Sequence, residues 1–559
     1  MLGAASTSFL LLLAAGNALA APRTPNLPVV DLGYERHQAL SYNETTEVYK
    51  FSNIRYAQPP VGQLRFRAPV PPLPNLNEIQ TGAEVRACPQ AAPLWQARAY
   101  KPIGLYSNGK EFSLESWEAD IKNSTAPSGG APPPPTTEDC LFLDVHVPKK
   151  VFDAPKSHNG GCDAPVLVFI HGGGWILGSK NGYPSMGFEP DGLLKHAKSF
   201  DEDGIIFVSL NYRLGALGFL PGSDVEQDGD LNAGLLDQRL ALEWLQDNIH
   251  LFGGSRDKVT VMGESSGGGN VLIHMLNAGN EGGKAPFAQA IAQSPAFPTS
   301  QDPESAYSGF LDALNVTKLA EAREASSEAV IAANTRQIGA APATSYIYGP
   351  VIDHRLMPDS PHALFGAGQF DKSVKVLAAH NAFEGGFFFD IDAKEDEDFI
   401  PWLQRSILGL SKSEQEYLAN ELYPPQFDGR LGYTDQNSRQ MALWGEAVID
   451  CSFFAINEVL KGESYAYRFD VTPGLHIQDL KYTFNDPQSP AFKPVAQDIL
   501  QTALTSFVVN GVPQIKDGCI DKFPHWGVDQ TLVSINNDGA RIAANTVNET
   551  RCDWWRSLH

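Results

Sequence analysis

The chain has 559 residues, and its 42 lysines and arginines stand against 65 aspartates and glutamates, which gives a formal net charge of −23 at pH 7. With 43% hydrophobic and 19% charged residues, the composition excludes an intrinsically disordered chain and a coiled coil. The acidic balance argues against nucleic acid and anionic membrane surfaces as partners, because both attract clustered lysines and arginines. The length by itself predicts roughly three or four domains, although α/β enzymes often exceed the usual domain size.

The first twenty residues are typical of a secretory signal peptide. An apolar run over residues 9–16 precedes Ala18-Leu19-Ala20, a small-x-small site after which cleavage is expected. The run is too short to span a bilayer, and no other stretch is apolar enough to do so. The sequence therefore predicts a signal peptide over 1–20 and a secreted mature chain over 21–559 without stable membrane insertion.

Sequons and cysteines agree with secretion. Glycosylation sequons of the form N-x-[ST] occur at Asn43, Asn123, Asn315 and Asn548, and each must be exposed to carry sugar. The cysteines show no C-x-x-C or Cys/His spacing, so no metal site is predicted, and in an oxidising compartment they are expected to form disulfides. The spacing alone leaves the pairing open among Cys88, Cys140, Cys162, Cys451, Cys519 and Cys552.

Short β-branched runs alternate with helical segments along the chain. The runs are 166–170 (VLVFI), 205–210 (IIFVSL), 259–262 (VTVM), 288–292 (AQAIA), 374–378 (VKVLA) and 465–469 (YAYRF). Several are apolar on both faces, as expected for buried strands of a parallel sheet. The alternation predicts an α/β sheet with helices on both faces, and residues 300–370 and 395–460 are expected to be helical insertions.

One predicted helix, over residues 233–252, shows a clear apolar stripe. Gly253-Gly254 is expected to end it. The stripe consists of Leu236, Leu240, Trp244, Leu245 and Ile249.

The sharpest local motif is Gly263-Glu264-Ser265-Ser266-Gly267, which directly follows the run VTVM. G-x-S-x-G between a strand and a helix is the nucleophile elbow of serine hydrolases. The pattern is short, and its alternative interpretation is a Gly/Ser-rich loop without chemistry. The strand-turn-helix context favours Ser265 as a nucleophile that projects from the carboxyl end of the strand.

A second glycine motif supplies what a serine nucleophile needs. His171-Gly172-Gly173-Gly174-Trp175 follows the run VLVFI, and in such HGGG loops backbone N–H groups stabilise the oxyanion of the tetrahedral intermediate. The predicted donors are Gly173, Gly174 and Ser266. A flexible linker is the alternative, which the strand before the loop and Trp175 after it disfavour. No phosphate-loop pattern is present, and no cofactor is predicted.

The chain resembles the type-B carboxylesterases, the α/β-hydrolase family that includes the cholinesterases and large extracellular fungal lipases. Besides HGGGW and GESSG, the segments that carry the resemblance are 51–66 (FSNIRYAQPPVGQLRF), 138–148 (EDCLFLDVHVP), 211–219 (NYRLGALGF) and 232–254 (NAGLLDQRLALEWLQDNIHLFGG). The C-terminal half matches more thinly. The resemblance implies an α/β-hydrolase fold with a large, mostly parallel central sheet, and one domain over 21–559 rather than three or four.

The remaining catalytic residues are expected after Ser265, in the order acid and then base. The family pattern N-x-x-E-G matches residues 381–385, so the resemblance implies Glu384 as the acid. Asp353 is the rival carboxylate, and a solvated loop carboxylate is the alternative interpretation of Glu384. The resemblance implies His476 as the base, in Pro473-Gly474-Leu475-His476 after the run YAYRF.

Other histidines compete with His476 on local sequence alone. His171 belongs to the oxyanion loop. His274 lies about two and a half turns along the helix after Ser265, which is too far for its side chain to reach the Ser265 hydroxyl. His354 and His525 are weaker rivals, and a surface loop histidine is the alternative interpretation of His476.

The resemblance also implies two disulfides. Cys88–Cys140 would close a loop that matches the family's lid or gorge-rim loop but is longer than usual. Cys451–Cys552 would tie down the C-terminal helix. Cys162 and Cys519 are left over, and either pair or stay free.

Together these features predict a secreted serine esterase that cleaves a small-molecule or lipid ester through an acyl-serine intermediate. A lipase acting on long-chain glycerides and an acyltransferase of a biosynthetic pathway remain alternatives. A non-catalytic binding protein is disfavoured, because Ser265, Glu384 and His476 are all present. Trp95 does not match the spacing of the cholinesterase choline-binding tryptophan, so no choline ester is predicted. The run 387–389 (FFF) is interpreted as acyl-pocket wall or, more often for such runs, as core packing.

Overall fold

The structure is a computed structural model that describes residues 27–107, 110–124, 136–154, 163–183, 186–280, 283–298, 302–484, 492–515, 520 and 522–558. The predicted signal peptide, Cys162 and Cys519 lie outside these ranges.

Strands occur along the whole described chain. They are β1 (Val29–Asp31), β2 (Glu35–Gln38), β3 (Ser41–Asn43), β4 (Val48–Arg55), β5 (Asn75–Gln80), β6 (Phe142–Pro148), β7 (Ala164–Ile170), β8 (Gly182–Tyr183), β9 (Met186–Gly187), β10 (Ile206–Leu210), β11 (Gly254–Glu264), β12 (Gln289–Gln293), β13 (Lys375–Asn381), β14 (Tyr465–Asp470), β15 (Thr531–Asn536) and β16 (Gly539–Ala544). The six predicted runs coincide with β7, β10, β11, β12, β13 and β14.

The central sheet of the described residues has eleven strands, in the order β16-β15-β14-β13-β12-β11-β7-β10-β6-β4-β3. The strands from β15 to β10 in this order run parallel to their neighbours. β16 at one edge, and β6, β4 and β3 at the other, pair antiparallel. The large, mostly parallel sheet is therefore confirmed, and the antiparallel strands lie at its edges.

Helices surround this sheet. They are α1 (Leu94–Tyr100), α2 (Ile103–Ser107), α3 (Leu114–Asn123), α4 (Lys149–Asp153), α5 (Asp191–Ala197), α6 (Gly215–Phe219), α7 (Ser223–Asp228), α8 (Ala233–Asn248), α9 (Ser266–Asn280), α10 (Pro303–Leu314), α11 (Leu319–Glu324), α12 (Ser327–Gly339), α13 (Pro361–Gly366), α14 (Asp396–Ser406), α15 (Lys412–Tyr417), α16 (Gln436–Gly445), α17 (Cys451–Val459), α18 (Leu480–Thr483), α19 (Pro494–Asn510) and α20 (Glu549–Ser557). Short 3₁₀ turns cover Gly62–Leu64 and Ile249–Phe252, and π-helical turns cover Leu418–Leu422 and Glu446–Asp450. The insertions predicted from about 300 to 370 and from 395 to 460 contain α10–α13 and α14–α17.

The central strands are buried on both faces. Successive side chains of a strand point to opposite faces of a sheet, and on β7 Val168 and Ile170 join one hydrophobic cluster while Leu167 and Phe169 join the other. Helices α8, α9 and α17 contribute to the first cluster, and α5 and α19 contribute to the second. This arrangement confirms the predicted α/β fold with helices on both faces.

The buried face of α8 differs from the predicted stripe. Trp244, Leu245 and Ile249 are buried as expected, but Leu236 and Leu240 are only half-buried. The helix instead buries Asp237, whose carboxylate binds the Arg213 guanidinium at 2.6 and 2.7 Å, together with Gln238 and Leu235. The predicted stripe therefore packs against the core, with Leu236 and Leu240 at its edge, but the prediction missed Asp237, because a pattern of apolar residues does not register a buried ion pair.

Two disulfides join the pairs that the resemblance implied, Cys88–Cys140 and Cys451–Cys552. The first closes the segment that contains α1, α2 and α3, and the second links α17 to α20. No helix within the described ranges is both long and apolar enough to cross a membrane.

Candidate active site

Residues 263–267 form the sharp turn that the sequence predicts between β11 and α9. Ser265 has a φ of 59°, in the left-handed region that a serine rarely adopts. The flanking glycines make the turn possible: a Cβ on Gly263 would lie 2.4 Å from the Gly267 backbone, and one on Gly267 would lie 2.2 Å from the Ile170 carbonyl oxygen. The Ser265 N–H donates to the Gln293 carbonyl at 3.0 Å, which fixes the turn on β12.

Ser265, His476 and Glu384 come together in one hydrogen-bonded chain. His476 Nε2 lies 2.9 Å from Ser265 Oγ, and His476 Nδ1 lies 2.6 Å from Glu384 Oε2. The side chains are nearly excluded from solvent, with relative exposures of 8%, 3% and 2% for Ser265, His476 and Glu384. This is the geometry of a serine, a base and an orienting acid.

The acid and the base lie on neighbouring loops that are joined through their backbones. Glu384 follows β13 and His476 follows β14, and these two strands are parallel neighbours. The Phe383 N–H donates to the Gly474 carbonyl at 2.7 Å, and Phe383 forms a parallel bridge with Leu475. The backbone contact places the carboxylate beside the imidazole.

Glu384 is held in its ionised form. Burial raises its pKa, but the charge of His476 and hydrogen bonds from His476, Ser294 Oγ at 2.7 Å and the Asn381 N–H outweigh burial, and the pKa lies below its ordinary value. No sequence pattern indicates this role of Ser294, because Ser294 reaches Glu384 from the end of another strand, β12.

The glycine loop after β7 carries two of the expected oxyanion donors. Gly173 and Gly174 have φ values of 106° and 60°, and both are partly exposed. Within the described ranges their N–H groups donate to no backbone acceptor. Ser266 begins α9, and N–H groups in the first turn of a helix have no acceptor inside the helix. These N–H groups are thus free to bind a negatively charged oxygen.

The structure gives the rival residues other contacts. Asp353 accepts from Asn232 Nδ2 at 2.8 Å and from the Met357 N–H at 2.7 Å, and so stabilises a loop. His274 Nε2 lies 3.0 Å from Gln238 Oε1. His525 stacks on Tyr465, with ring centroids 4.2 Å apart, and His354 is exposed.

Glu264 and Asp479 are buried carboxyl groups for which the sequence motifs predict no catalytic role. Glu264 Oε1 lies 3.6 Å from His476 Nε2, and among the described residues neither of its oxygens has a hydrogen-bond partner. Burial, with the charges of Asp479 and Glu384, raises the pKa of Glu264 well above its ordinary value. Burial and the Glu384 charge likewise raise the pKa of Asp479 to about 6.

All three phenylalanines of the run 387–389 are buried in the hydrophobic core, as the core-packing interpretation predicts, and two of them also contact the ring of His476. Phe388 and Phe387 pack against the His476 ring, with centroid distances of 5.6 and 6.3 Å. Phe388 also stacks on Trp444 at 3.5 Å. Phe389 is buried in the hydrophobic core.

Doubly wound sheets with a serine on an elbow of this kind define the α/β hydrolases as a class. The chain belongs to the carboxylesterase family, whose sequence profile matches residues 33–555. It is therefore a carboxylic ester hydrolase, and its substrate is a small-molecule ester.

Relatives and solved structures agree with this membership. The chain is 36% identical to carboxylesterase patB of Aspergillus clavatus over 566 aligned residues, and the alignment covers 99% of each sequence. It is 30% identical to lipase 5 of Diutina rugosa, over 76% of this chain and 77% of the lipase. Its fold matches the crystal structure of Aspergillus niger EstA with a TM-score of 0.74 and 26% identity, covering 95% of this chain and 98% of EstA.

Proposed function

We propose that this protein is a secreted serine carboxylesterase with Ser265 as nucleophile, His476 as base and Glu384 as acid. The Ser265 hydroxyl attacks the ester carbonyl while His476 Nε2 takes its proton. The oxyanion accepts hydrogen bonds from the amides of Gly173, Gly174 and Ser266.

Collapse of the tetrahedral intermediate breaks the ester C–O bond, and the leaving alcohol takes the proton from His476. A water molecule then gives a proton to His476 and attacks the acyl-serine, which releases the carboxylic acid and restores the Ser265 hydroxyl. Glu384 accepts the hydrogen bond from His476 Nδ1–H throughout, orients the ring and stabilises the imidazolium.

The continuous hydrogen-bonded chain from Ser265 Oγ through His476 to Glu384 Oε2, at 2.9 and 2.6 Å, is the observation that carries the proposal. A serine hydroxyl is a weak nucleophile without such a base, and this chain supplies both the base and the group that orients it.

Hydrolysis of p-nitrophenyl acetate by paired variants tests the assignment. Ser265→Ala is expected to lower kcat/KM by about a thousandfold or more, and so is Glu384→Gln, which keeps its shape but loses the charge that orients His476. Asp353→Asn is the matched control. Its kcat/KM should stay within about threefold of the wild-type value, because Asp353 is not part of the hydrogen-bonded chain of Ser265, His476 and Glu384. Equal activity of Ser265→Ala and the wild type would refute the proposal.

A lipase is the second candidate, because relatives include lipases and the loop closed by Cys88–Cys140 exposes apolar side chains. Leu94 in α1 and Leu105 in α2 are 63% and 49% exposed. A series of p-nitrophenyl and glyceride esters of rising chain length, with and without an oil–water interface, separates the two. An esterase favours short chains in solution, and activation by the interface on long chains would identify a lipase.

Secretion is supported by the two disulfides and by the surface positions of the sequons. Asn43, Asn123, Asn315 and Asn548 are all exposed. A relative at 28% identity, from Arthroderma benhamiae, is named a secreted lipase. Recovery of the protein from culture medium, with a fall in mass on enzymatic deglycosylation, is the expected result, and retention inside the cells would contradict it.

A further inference from the structure

Helix α1, inside the loop closed by Cys88–Cys140, packs against the aromatic side chains beside His476. The Trp95 ring makes edge contacts with Phe388 and Tyr346, at centroid distances of 6.3 and 5.8 Å. Phe388 in turn packs against His476 at 5.6 Å. The Trp95 side chain therefore belongs to the aromatic wall beside the reaction centre.

The same wall reaches the oxyanion loop through Tyr346. A Cβ on Gly174 would lie 2.2 Å from Tyr346 Cε1, so the tyrosine ring lies directly against this glycine. Both Gly174 and Tyr346 are partly exposed. Trp95 and Tyr346 consequently border the space between the expected oxyanion donors and the histidine, where an ester would bind.

Two buried polar atoms in this wall lack partners. Gln96 Nε2 donates to Tyr100 Oη at 2.9 Å and to Tyr346 Oη at 3.4 Å, but among the described residues neither Gln96 Oε1 nor Trp95 Nε1 has a hydrogen-bond partner. Gln96 is only 2% exposed. Buried polar groups are nearly always paired, and an unpaired one costs free energy.

Other buried indoles of the chain do not share this feature. Trp117 donates to the Gly386 carbonyl at 2.5 Å, Trp175 to Asn270 Oδ1 at 2.9 Å and Trp402 to Thr344 Oγ1 at 3.0 Å. The unpaired donor thus occurs in the tryptophan that borders the reaction centre.

The unpaired atoms are one donor and one acceptor in a wall that is otherwise aromatic. A hydroxyl group both accepts and donates, whereas an alkyl group does neither. We propose that Trp95 and Gln96 are specificity-determining residues that recognise an ester carrying a hydroxyl group, through Trp95 Nε1 and Gln96 Oε1. This inference rests on the proposed function, and it names the substrate class of the same site. Both atoms are shielded from solvent in this structure, so the proposal includes a shift of the partly exposed Trp95 ring when the ester binds.

Matched pairs of esters test this inference on either side of the ester bond. For the acyl side, p-nitrophenyl 3-hydroxybutyrate is compared with p-nitrophenyl 3-methylbutyrate, and for the alcohol side 3-hydroxybenzyl acetate is compared with 3-methylbenzyl acetate. In one pair, the wild type is expected to favour the hydroxylated ester by about tenfold or more in kcat/KM, because the methyl analogue leaves the buried atoms unpaired. The pair that shows the preference identifies the side that α1 contacts.

Variants assign the preference to its residues. Trp95→Phe keeps an aromatic ring but removes the donor, and Gln96→Met keeps the length but removes the acceptor. Each is expected to lower the hydroxyl-to-methyl ratio of kcat/KM by about tenfold, the effect of one hydrogen bond. Trp244→Phe is the matched control, because its indole donates to Tyr34 Oη at 3.0 Å away from the site, and the ratio should not change.

The outcomes separate this inference from the proposed function. A wild-type ratio near one in both pairs, or a ratio that neither Trp95→Phe nor Gln96→Met changes, overturns the inference. If p-nitrophenyl acetate is hydrolysed in that case, the proposed esterase activity stands. If the wild type fails to hydrolyse p-nitrophenyl acetate and every other ester, the proposed function fails as well.

Discussion

Buried polar residues behind Ser265, His476 and Glu384 hold the three side chains in place. Asn381 Nδ2 donates to Ser294 Oγ at 3.1 Å and to Asp479 Oδ1 at 3.2 Å. Asn381 therefore connects Ser294, which donates to Glu384, with a second carboxyl group. Glu264, Glu384 and Asp479 influence one another electrostatically within this buried region. Burial and the neighbouring carboxylates raise the pKa values of Glu264 and Asp479 above their ordinary values, so each group keeps its proton to a higher pH than an isolated carboxyl group would.

The protonation of Asp479 predicts a pH-dependent stability. Its pKa is about 6 in the folded protein and about 3.9 in an unfolded chain. Between these values the folded state keeps a proton that the unfolded state has lost, so the contribution of Asp479 to stability is greatest below pH 4 and falls as the pH rises through 6. Asp479→Asn does not titrate, and the wild type is expected to lose roughly 2 kcal/mol relative to this variant between pH 4 and 7.

Urea unfolding of both proteins at pH 4 and pH 7 measures this change. The difference between their free energies of unfolding also includes the hydrogen bonds that Asp479 makes at either pH, so only its change with pH reports the proton. A difference that stays the same at the two pH values would contradict the assignment of a raised pKa.

The position of Ser265 depends on how closely helix α9 approaches strand β7. Gly267 in the first turn of α9 lies against the Ile170 carbonyl, where a Cβ would approach to 2.2 Å. Since backbone at both sides of this contact belongs to regular elements, neither side relaxes without moving the elbow that carries Ser265.

Gly267→Ala is therefore expected to destabilise the protein by about 1–3 kcal/mol or more and to lower kcat/KM, because the methyl group pushes α9 off the strand. Gly339→Ala is the control: Gly339 ends α12, and a Cβ there meets nothing within 4 Å. That variant should be neutral or more stable by about 0.4–1 kcal/mol. Thermal unfolding of the pair measures the effect, and equal melting temperatures would refute the close approach.

The central strands were predicted nearly in full, whereas the helices of the insertions were predicted only as regions. Runs such as those in β7 and β11 are apolar on both faces because helices cover both sides, and this leaves a continuous signal in the sequence. The stripe of α8 does face the core, but it left out Asp237, which is buried through its pair with Arg213, a contact between residues of different elements. A local pattern does not contain such contacts.

The C-terminal disulfide joins helices that lie behind the loop of Glu384. Cys451–Cys552 spans 101 residues and joins α17 to α20. Helix α16 precedes α17, and a Cβ on Gly385, next to Glu384, would lie 1.8 Å from the Met441 carbonyl of α16. The disulfide therefore restrains the end of the chain beside the loop that positions Glu384.

Replacing both Cys451 and Cys552 by serine is expected to lower the free energy of unfolding by about 2–5 kcal/mol, because a long loop regains its freedom in the unfolded chain. Differential scanning calorimetry of the wild type and the double variant measures the loss. The difference should vanish when both proteins are unfolded in dithiothreitol, because the reductant then opens Cys88–Cys140 in each of them and Cys451–Cys552 in the wild type. Equal melting temperatures without reductant would show that the bridge adds no stability.

The sequence by itself determined the fold class, the central strands, the elbow at Ser265 and the HGGG loop, because each is a contiguous pattern that local physical rules describe. The tertiary structure decided which partners meet: His476 lies 211 residues from Ser265 and 92 from Glu384 along the chain, and only the order of the parallel strands brings them together. It also decided the raised pKa of Glu264 and the unpaired atoms of Trp95 and Gln96, because pKa shifts and hydrogen-bond pairing depend on burial, and burial is a property of the packed molecule.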